Sequence, residues 1–116
     1  MFMIIDTQIL VEDIKSSISG ILGKDITTVS GFSSRQLVGI ADQTALIASG
    51  ISSGEITVAT RDFFLNQLEE LAHNFVNTLV GLIVAAIEKL WNAIVSILWK
   101  AISKATGIVL PVAKFQ

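Results

Sequence analysis

The feature that most constrains the fold is the long apolar stretch that runs from Phe75 to Ile102. This stretch contains both tryptophans of the chain and only three charged residues. Projected as an α-helix, its apolar residues cover an arc of about 220°, whereas an ordinary amphipathic helix has an apolar arc of about 100°. So wide an arc needs neighbours on several sides, and we therefore predict an all-α protein that is organised around this one helix.

The composition of the chain also indicates more apolar surface than one small domain can bury. The 116 residues are 52 % hydrophobic and only 16 % charged, whereas about a quarter of the residues of a typical soluble domain are charged. A chain of this size has a large surface relative to its volume, so we expect lipid or further copies of the chain to cover the excess apolar surface. The length allows a single domain, with N-terminal helices and a connector over 1–56, the long apolar helix over 57–106 and a basic tail over 107–116.

Residues that favour helix starts divide the chain into three helical segments. The capping side chains are those of Asp6, Ser33 or Ser34, and Thr57. They predict a first helix within residues 1–22 and a second helix from about residue 35 to residue 49. The β-branched residues of 24–32 indicate an extended connector between these two helices.

The third helical segment is long. After its cap no strong stop signal occurs before Gly107, so we predict one amphipathic-to-apolar helix from about residue 58 to residue 104. Gly81 is the most plausible position for a kink. The fold that we expect is a helical hairpin made by the second helix and this long C-terminal helix, with the short N-terminal helix beside it, packed in an oligomer.

A narrow polar stripe follows the long helix. Its residues are mostly small or weakly polar, and membrane helices use such residues at their contacts because backbones can then approach closely. We therefore predict a helix–helix interface along Asn77, Thr78, Gly81, Ala85, Glu88, Asn92 and Ser96.

The same helix has the dimensions of a membrane span. Leu79 to Trp99 would extend about 31 Å, against a hydrocarbon core of about 30 Å. Placing Glu88 and Lys89 at mid-membrane costs about 5–7 kcal/mol of insertion free energy. The favourable insertion free energy of the apolar residues is of about the same size. A spanning and an in-plane orientation therefore both stay open. Trp91 and Trp99 are predicted as anchors at the lipid interface.

Charge divides the chain into an acidic front and a basic end. Residues 1–88 carry ten acidic and four basic residues, a net charge of −6, while residues 89–116 carry four lysines and no acidic residue, a net charge of +4. We predict that Lys100, Lys104 and Lys114 contact anionic lipid headgroups, or nucleic-acid phosphates without sequence specificity. In length and in its order of acidic amphipathic front, apolar helix and lysine tail, the chain resembles small phage coat or virion-membrane proteins.

Two short motifs have the spacing of chemical sites. Gly50 to Gly54 match G-x-S-x-G, but the chain is too short for the fold in which that motif is catalytic. Glu70 and His73 have the spacing of a di-iron helix motif, which needs a second copy and two further glutamates. We interpret the first motif as a turn and the second as a solvated helix face. We therefore expect no catalytic residue, no metal ligand, no cofactor and no small-molecule substrate.

Together these features predict a small structural protein that acts by helix packing. We expect a homo-oligomer at a membrane, or in a membrane-bearing assembly such as a virion, of a coat-like or holin-like kind. The start of the chain lacks the basic segment and cleavage site of a secretory signal, so we expect none. The alternative is a soluble helical adaptor or chaperone-like module that binds other proteins.

Overall fold

Four α-helices and one short 3-10 helix account for the regular structure of residues 5–110, the part of the chain that the computed structural model describes. No β-strand occurs in that range, so the all-α prediction is confirmed there. The helices are α1 (Thr7–Leu22), α2 (Ser34–Ser53), α3 (Val58–Asn77) and α4 (Val84–Thr106), and the 3-10 helix (Ile26–Thr28) lies between α1 and α2.

The predicted capping residues begin the first three helices. Asp6 Oδ1 accepts hydrogen bonds from two backbone N–H groups in the first turn of α1, at 3.0 and 3.2 Å. Ser33 Oγ accepts the Gln36 N–H at 3.2 Å at the start of α2. At the start of α3 the backbone N–H of Thr57 donates to Thr60 Oγ1 at 3.0 Å. Each cap stabilises its helix start by about 1 kcal/mol, so local chemistry is enough to predict these starts.

Two predicted boundaries differ from the structure. Helix α2 continues to Ser53 instead of ending near residue 49, because Gly54, with φ 82°, is the residue that takes the left-handed conformation and ends the helix. The connector between α1 and α2 is not extended throughout. Asp25 Oδ1 accepts the Thr27 N–H at 2.9 Å and so begins the 3-10 helix.

The single helix predicted over 58–104 is wrong, because the chain turns back between α3 and α4. Residues 78–83 form the connection, and Gly81 in it has φ 86°, a left-handed conformation that favours glycine. The turn is a full reversal instead of a kink, since Trp91 Nε1 on α4 donates to the backbone carbonyl of Glu69 on α3 at 3.0 Å. The reversal lets the apolar face of α4 pack against its own chain.

Consecutive helices run antiparallel, up-down-up-down. The N–H of Val80 donates to the carbonyl of Ser30 at 2.8 Å, which places the α1–α2 connector and the α3–α4 connection at the same end of the bundle. Helices α2 and α4 each contact the other three helices, whereas α1 and α3 lie on opposite sides of the α2–α4 pair. The wide apolar arc of α4 is therefore covered by three helices of its own chain.

The core draws on all four helices and on the connector. The one buried polar side chain of the described range, Thr44, donates to the carbonyl of Ile40 at 2.7 Å. Much of the apolar composition is therefore used within one chain. The largest fully buried side chains are those of Phe75, Ile14, Ile18, Ile26, Leu37, Ile40, Ile47, Leu68, Leu90, Ile94, Leu98 and Ile102.

Candidate functional site

Residues 80–85, in the α3–α4 connection and the first turn of α4, form an exposed apolar tip. None of these six residues has a polar side chain. Val80, Ile83 and Val84 are 63 %, 72 % and 69 % exposed. Single exposed apolar residues are common on protein surfaces, but a contiguous group of them indicates a site of interaction. The sequence pattern does not reveal this tip, because it predicts the middle of a helix at these positions.

The base of the apolar tip is fixed to the α1–α2 connector. The hydrogen bond from the Val80 N–H to the Ser30 carbonyl joins the two segments. Gly31, with φ 87°, lies so close to Thr78 that an added Cβ would collide with the Thr78 carbonyl oxygen. Leu79, the residue before the tip, is buried. The connector therefore holds the base of the tip. Leu82 packs partly against the core, while Val80, Ile83 and Val84 stay exposed.

The residues predicted to form a helix–helix interface are all exposed in the bundle. This stripe faces outward from the chain, so a contact between the stripe and a second copy stays a prediction. Four of its residues follow the outer face of α4: Ala85, Glu88, Asn92 and Ser96. The other three lie at the end of α3 or in the connection: Asn77, Thr78 and Gly81.

Both tryptophans belong to the core. Trp91 is 4 % exposed and Trp99 is 7 % exposed. The Trp91 indole N–H donates to the backbone carbonyl of Glu69. Separately, partial burial of the Glu69 side chain raises the pKa of its carboxyl. An anchor at a lipid interface needs an indole that reaches the surface, so neither ring is placed for the predicted anchor role in this fold.

Helices α1 and α4 enclose a groove with a volume of about 750 Å³. Asp6 and Asp13 line its α1 wall, and Lys100 and Lys104 line its α4 wall. No salt bridge within the described residues involves any of these four charges. Lys100 and Lys104 are exposed, so they are accessible to lipid or phosphate. Their contact with either one stays a prediction. Lys114, the third lysine of that prediction, lies outside the described residues.

The two motifs with the spacing of chemical sites occupy helical positions. The motif that begins at Gly50 forms the last turn of α2 and ends at Gly54, so its serine does not follow a strand as a catalytic elbow requires. His73 Nδ1 lies 3.1 Å from Asn77 Nδ2, one turn further along α3. Among residues 5–110, no three Asp, Glu or His side chains are grouped closely enough to hold a metal ion.

Within the described range, none of the helices combines the length and the apolar character that crossing a bilayer needs. No protein-family model, curated protein or solved structure matches this chain. The candidate functional sites are two surfaces of the chain itself, the apolar tip and the α1–α4 groove.

Proposed function

We propose that the protein is a small structural protein that self-assembles on a membrane surface in a coat-like layer and acts by packing instead of catalysis. The observation that carries this proposal is the apolar tip, where Val80, Ile83 and Val84 remain exposed. A tip of this kind can enter the headgroup region of a bilayer without any helix crossing the membrane. The proposal therefore favours a peripheral position over a transmembrane one.

The apolar tip supplies a modest driving force. Burying the exposed parts of three aliphatic side chains contributes about 1–2 kcal/mol each, or about 3–6 kcal/mol together. This gain corresponds to a partition coefficient of roughly 10²–10⁴. A single myristoyl chain, with an affinity of about 10⁴ M⁻¹, binds membranes only marginally and reversibly. One copy of the protein should therefore leave the membrane readily.

Self-assembly would convert this weak contact into stable attachment. An assembly presents one tip for each copy, and linked sites raise the overall avidity by about 10²–10⁴ over that of a single site. The outer face of α4 offers a surface that a neighbouring helix can approach closely, since Ala85, Asn92 and Ser96 on it are small or weakly polar. Lipid attachment and self-association therefore support one another.

The geometry of α4 favours the tip over the lysines as the lipid contact. Val84 and Lys100 are 16 positions apart on one helix, a distance of about 24 Å. A bilayer that takes up the tip therefore lies at the opposite end of α4 from Lys100 and Lys104. The two lysines are then available to pair with carboxylates of a neighbouring copy.

Vesicle flotation tests the lipid contact. We expect the wild-type chain to float with phosphatidylcholine vesicles. The partition coefficient of the double variant Ile83→Ser, Val84→Ser should be about 30-fold lower or more, because two of the three exposed aliphatic side chains are lost. Ile83 occupies the N-cap position of α4, where serine is a favoured residue, so the change removes apolar surface without weakening the helix start. In the control variant Leu46→Ser, Val58→Ser, two comparably exposed side chains away from the tip are changed, and it should float like the wild type.

Equal flotation of the two double variants, or a wild-type chain that does not float, would refute the lipid part of the proposal. Size-exclusion chromatography with light scattering tests the assembly part. A wild-type chain that stays a monomer up to about 1 mM would exclude self-assembly, because that concentration corresponds to only about 4 kcal/mol of association free energy.

The alternative is a soluble helical adaptor or chaperone-like module. The observation that favours it is the closure of the apolar face of α4 by the other three helices, which buries both tryptophans without any lipid. On this alternative the apolar tip inserts into an apolar pocket of a partner protein. A monomer in the sizing experiment that also fails to float with vesicles would support the adaptor.

A further inference from the structure

We infer that the α1–α4 groove is an interface with a second copy of the chain, in which α1 and α4 of each copy together form a second four-helix bundle. This inference rests on the self-assembly proposed above and adds a second contact surface to the outer face of α4. Two properties of the groove carry it: an apolar floor that the residues of the described range leave partly open, and a charge pattern that is complementary to itself.

The floor of the groove is apolar, and its rims are charged or polar. Ile5 and Leu10 are buried, but Ile9 beside them is 59 % exposed. On the α4 side, Ile97 and Ala101 are only partly buried. Two packed helices leave such a groove open on one side, and a second helix pair placed over it completes a four-helix core. The volume of about 750 Å³ is then filled by side chains that both copies contribute.

Charges of opposite sign stand on the two walls of the groove. The α1 wall carries Asp6 and Asp13, and the α4 wall carries Lys100 and Lys104. All four residues are exposed, and within the described part of the chain none of them belongs to a salt bridge. Each wall can therefore pair with the opposite wall of another copy.

The direction of the helices decides which charges meet. Helices α1 and α4 run antiparallel, because the end of α1 and the start of α4 both lie at the end of the bundle where Ser30 contacts Val80. The groove spans the first part of α1 and the last part of α4. Asp13 therefore lies level with Lys100, and the earlier Asp6 lies towards the level of Lys104.

The charge pattern selects one of two possible twofold axes. An axis parallel to the groove places α1 of one copy beside α4 of the other at the same level, so that Asp13 faces Lys100 of the second copy. Every pair of neighbouring helices in the new bundle is then antiparallel, as in up-down bundles. An axis that crosses the groove would place α1 against α1 and α4 against α4, with like charges opposed. The groove geometry therefore assigns the parallel axis.

The interface is smaller than those of most specific dimers. Helix α1 is about 24 Å long and a pair of packed helices is about 20 Å wide, which gives about 480 Å² for each copy and about 960 Å² in total. Specific interfaces usually bury about 1,200–2,000 Å², and about 1,000 Å² is the least that a biological interface normally shows. We therefore expect a weak dimer whose population depends on concentration.

Sedimentation equilibrium of the full chain with two charge-reversal variants tests the interface. Asp13→Lys and Lys100→Glu should each raise the dimer dissociation constant about tenfold or more, because each places like charges opposite one another at two symmetry-related positions. An equimolar mixture of the two variants should recover the dimer, since the new lysine of one variant faces the new glutamate of the other. The control Asp42→Lys changes an exposed charge on α2 away from the groove and should leave the dissociation constant unchanged.

Recovery in the mixture would also show that both variants fold, so loss of the fold would not explain their separate effects. A wild-type chain that assembles while both single variants assemble equally well would overturn the groove interface but keep self-assembly on another surface. Weakened single variants without recovery in the mixture would overturn the charge pairing. A wild-type chain that is monomeric at every concentration would remove both the interface and the self-assembly on which it rests.

Discussion

Gly31→Ala is the substitution that tests most directly how the apolar tip is held. Gly31 has φ 87° and lies against the backbone that enters the α3–α4 connection. Besides the collision with the Thr78 carbonyl oxygen, an added Cβ would lie 2.9 Å from the Thr78 carbonyl carbon and 3.4 Å from Leu79 Cα. All these atoms belong to the backbone, so no side-chain rotation can relieve the contact. The α1–α2 connector and the α3–α4 connection must separate.

Three costs contribute to the expected loss of stability. The left-handed φ costs a residue with a Cβ about 1–2 kcal/mol. Separation weakens the hydrogen bond from Val80 to Ser30, which contributes about 1 kcal/mol. It also loosens the packing of the buried Leu79, at about 1–2 kcal/mol. We therefore expect Gly31→Ala to lower the free energy of unfolding by about 3–5 kcal/mol.

Gly81→Ala is the matched control for this prediction. Gly81 has φ 86°, but a Cβ there meets nothing within 4 Å. Only the backbone strain applies, and we expect a loss of about 1–2 kcal/mol. Urea unfolding followed by far-UV circular dichroism measures both variants, and the difference between them reports the close approach at Gly31.

Equal losses in Gly31→Ala and Gly81→Ala would contradict the close backbone contact at Gly31. Hydrogen exchange at the Val80 amide gives an independent measurement. We expect it to be faster in Gly31→Ala than in Gly81→Ala, because only the first substitution pushes Val80 away from Ser30.

Three further substitutions test the core, one tertiary hydrogen bond and one carboxylate. Leu98→Ala should lower the free energy of unfolding in urea by about 2–5 kcal/mol, because Leu98 is fully buried, and a loss well below that range would contradict its burial. Trp91→Phe removes the donor to the Glu69 carbonyl and should cost about 1–3 kcal/mol in thermal unfolding, whereas an unchanged melting temperature would argue against that bond. The hydroxyl and backbone N–H of Thr27 hold the pKa of the Asp25 carboxyl below its ordinary value of 3.8, so this contribution to stability is present at neutral pH and is lost as the pH falls below 3.8. Thr27→Ala should raise the pKa of Asp25 in an NMR titration, and no rise would show that the hydroxyl is not its cause.

Local chemistry predicts where three of the helices begin. Asp6, Ser33 and Thr57 each lie within one turn of the groups that they pair with, so the neighbouring sequence contains what decides the helix start. The reversal at Gly81 is different, because an apolar helix tolerates a single glycine at about 1 kcal/mol. What decides the reversal is the packing of α4 against three other helices, and that gain depends on residues far away in the sequence.

The candidate surfaces also divide into those that the sequence predicts and those that depend on the tertiary fold. The four stripe residues of α4, from Ala85 to Ser96, are visible in the sequence because helical periodicity alone places them on one face. The apolar tip is not visible, since it exists only where the chain reverses. The burial of Trp91 and Trp99 within the bundle is also not visible in the sequence, because lipid tails are as apolar as the side chains of neighbouring helices. A wide apolar arc therefore indicates that a helix is buried on several sides, but it does not show whether lipid or protein buries it.

The position of α3 has a consequence for how the molecule opens. Helices α1 and α3 lie on opposite sides of the α2–α4 pair and so do not brace one another. Glycines with positive φ, Gly54 and Gly81, stand just beyond the two ends of α3. A helix held in this way can detach as one cooperative unit while its neighbours stay folded. Detachment would uncover the face of α4 that holds Trp91 and would remove the carbonyl that accepts its indole N–H.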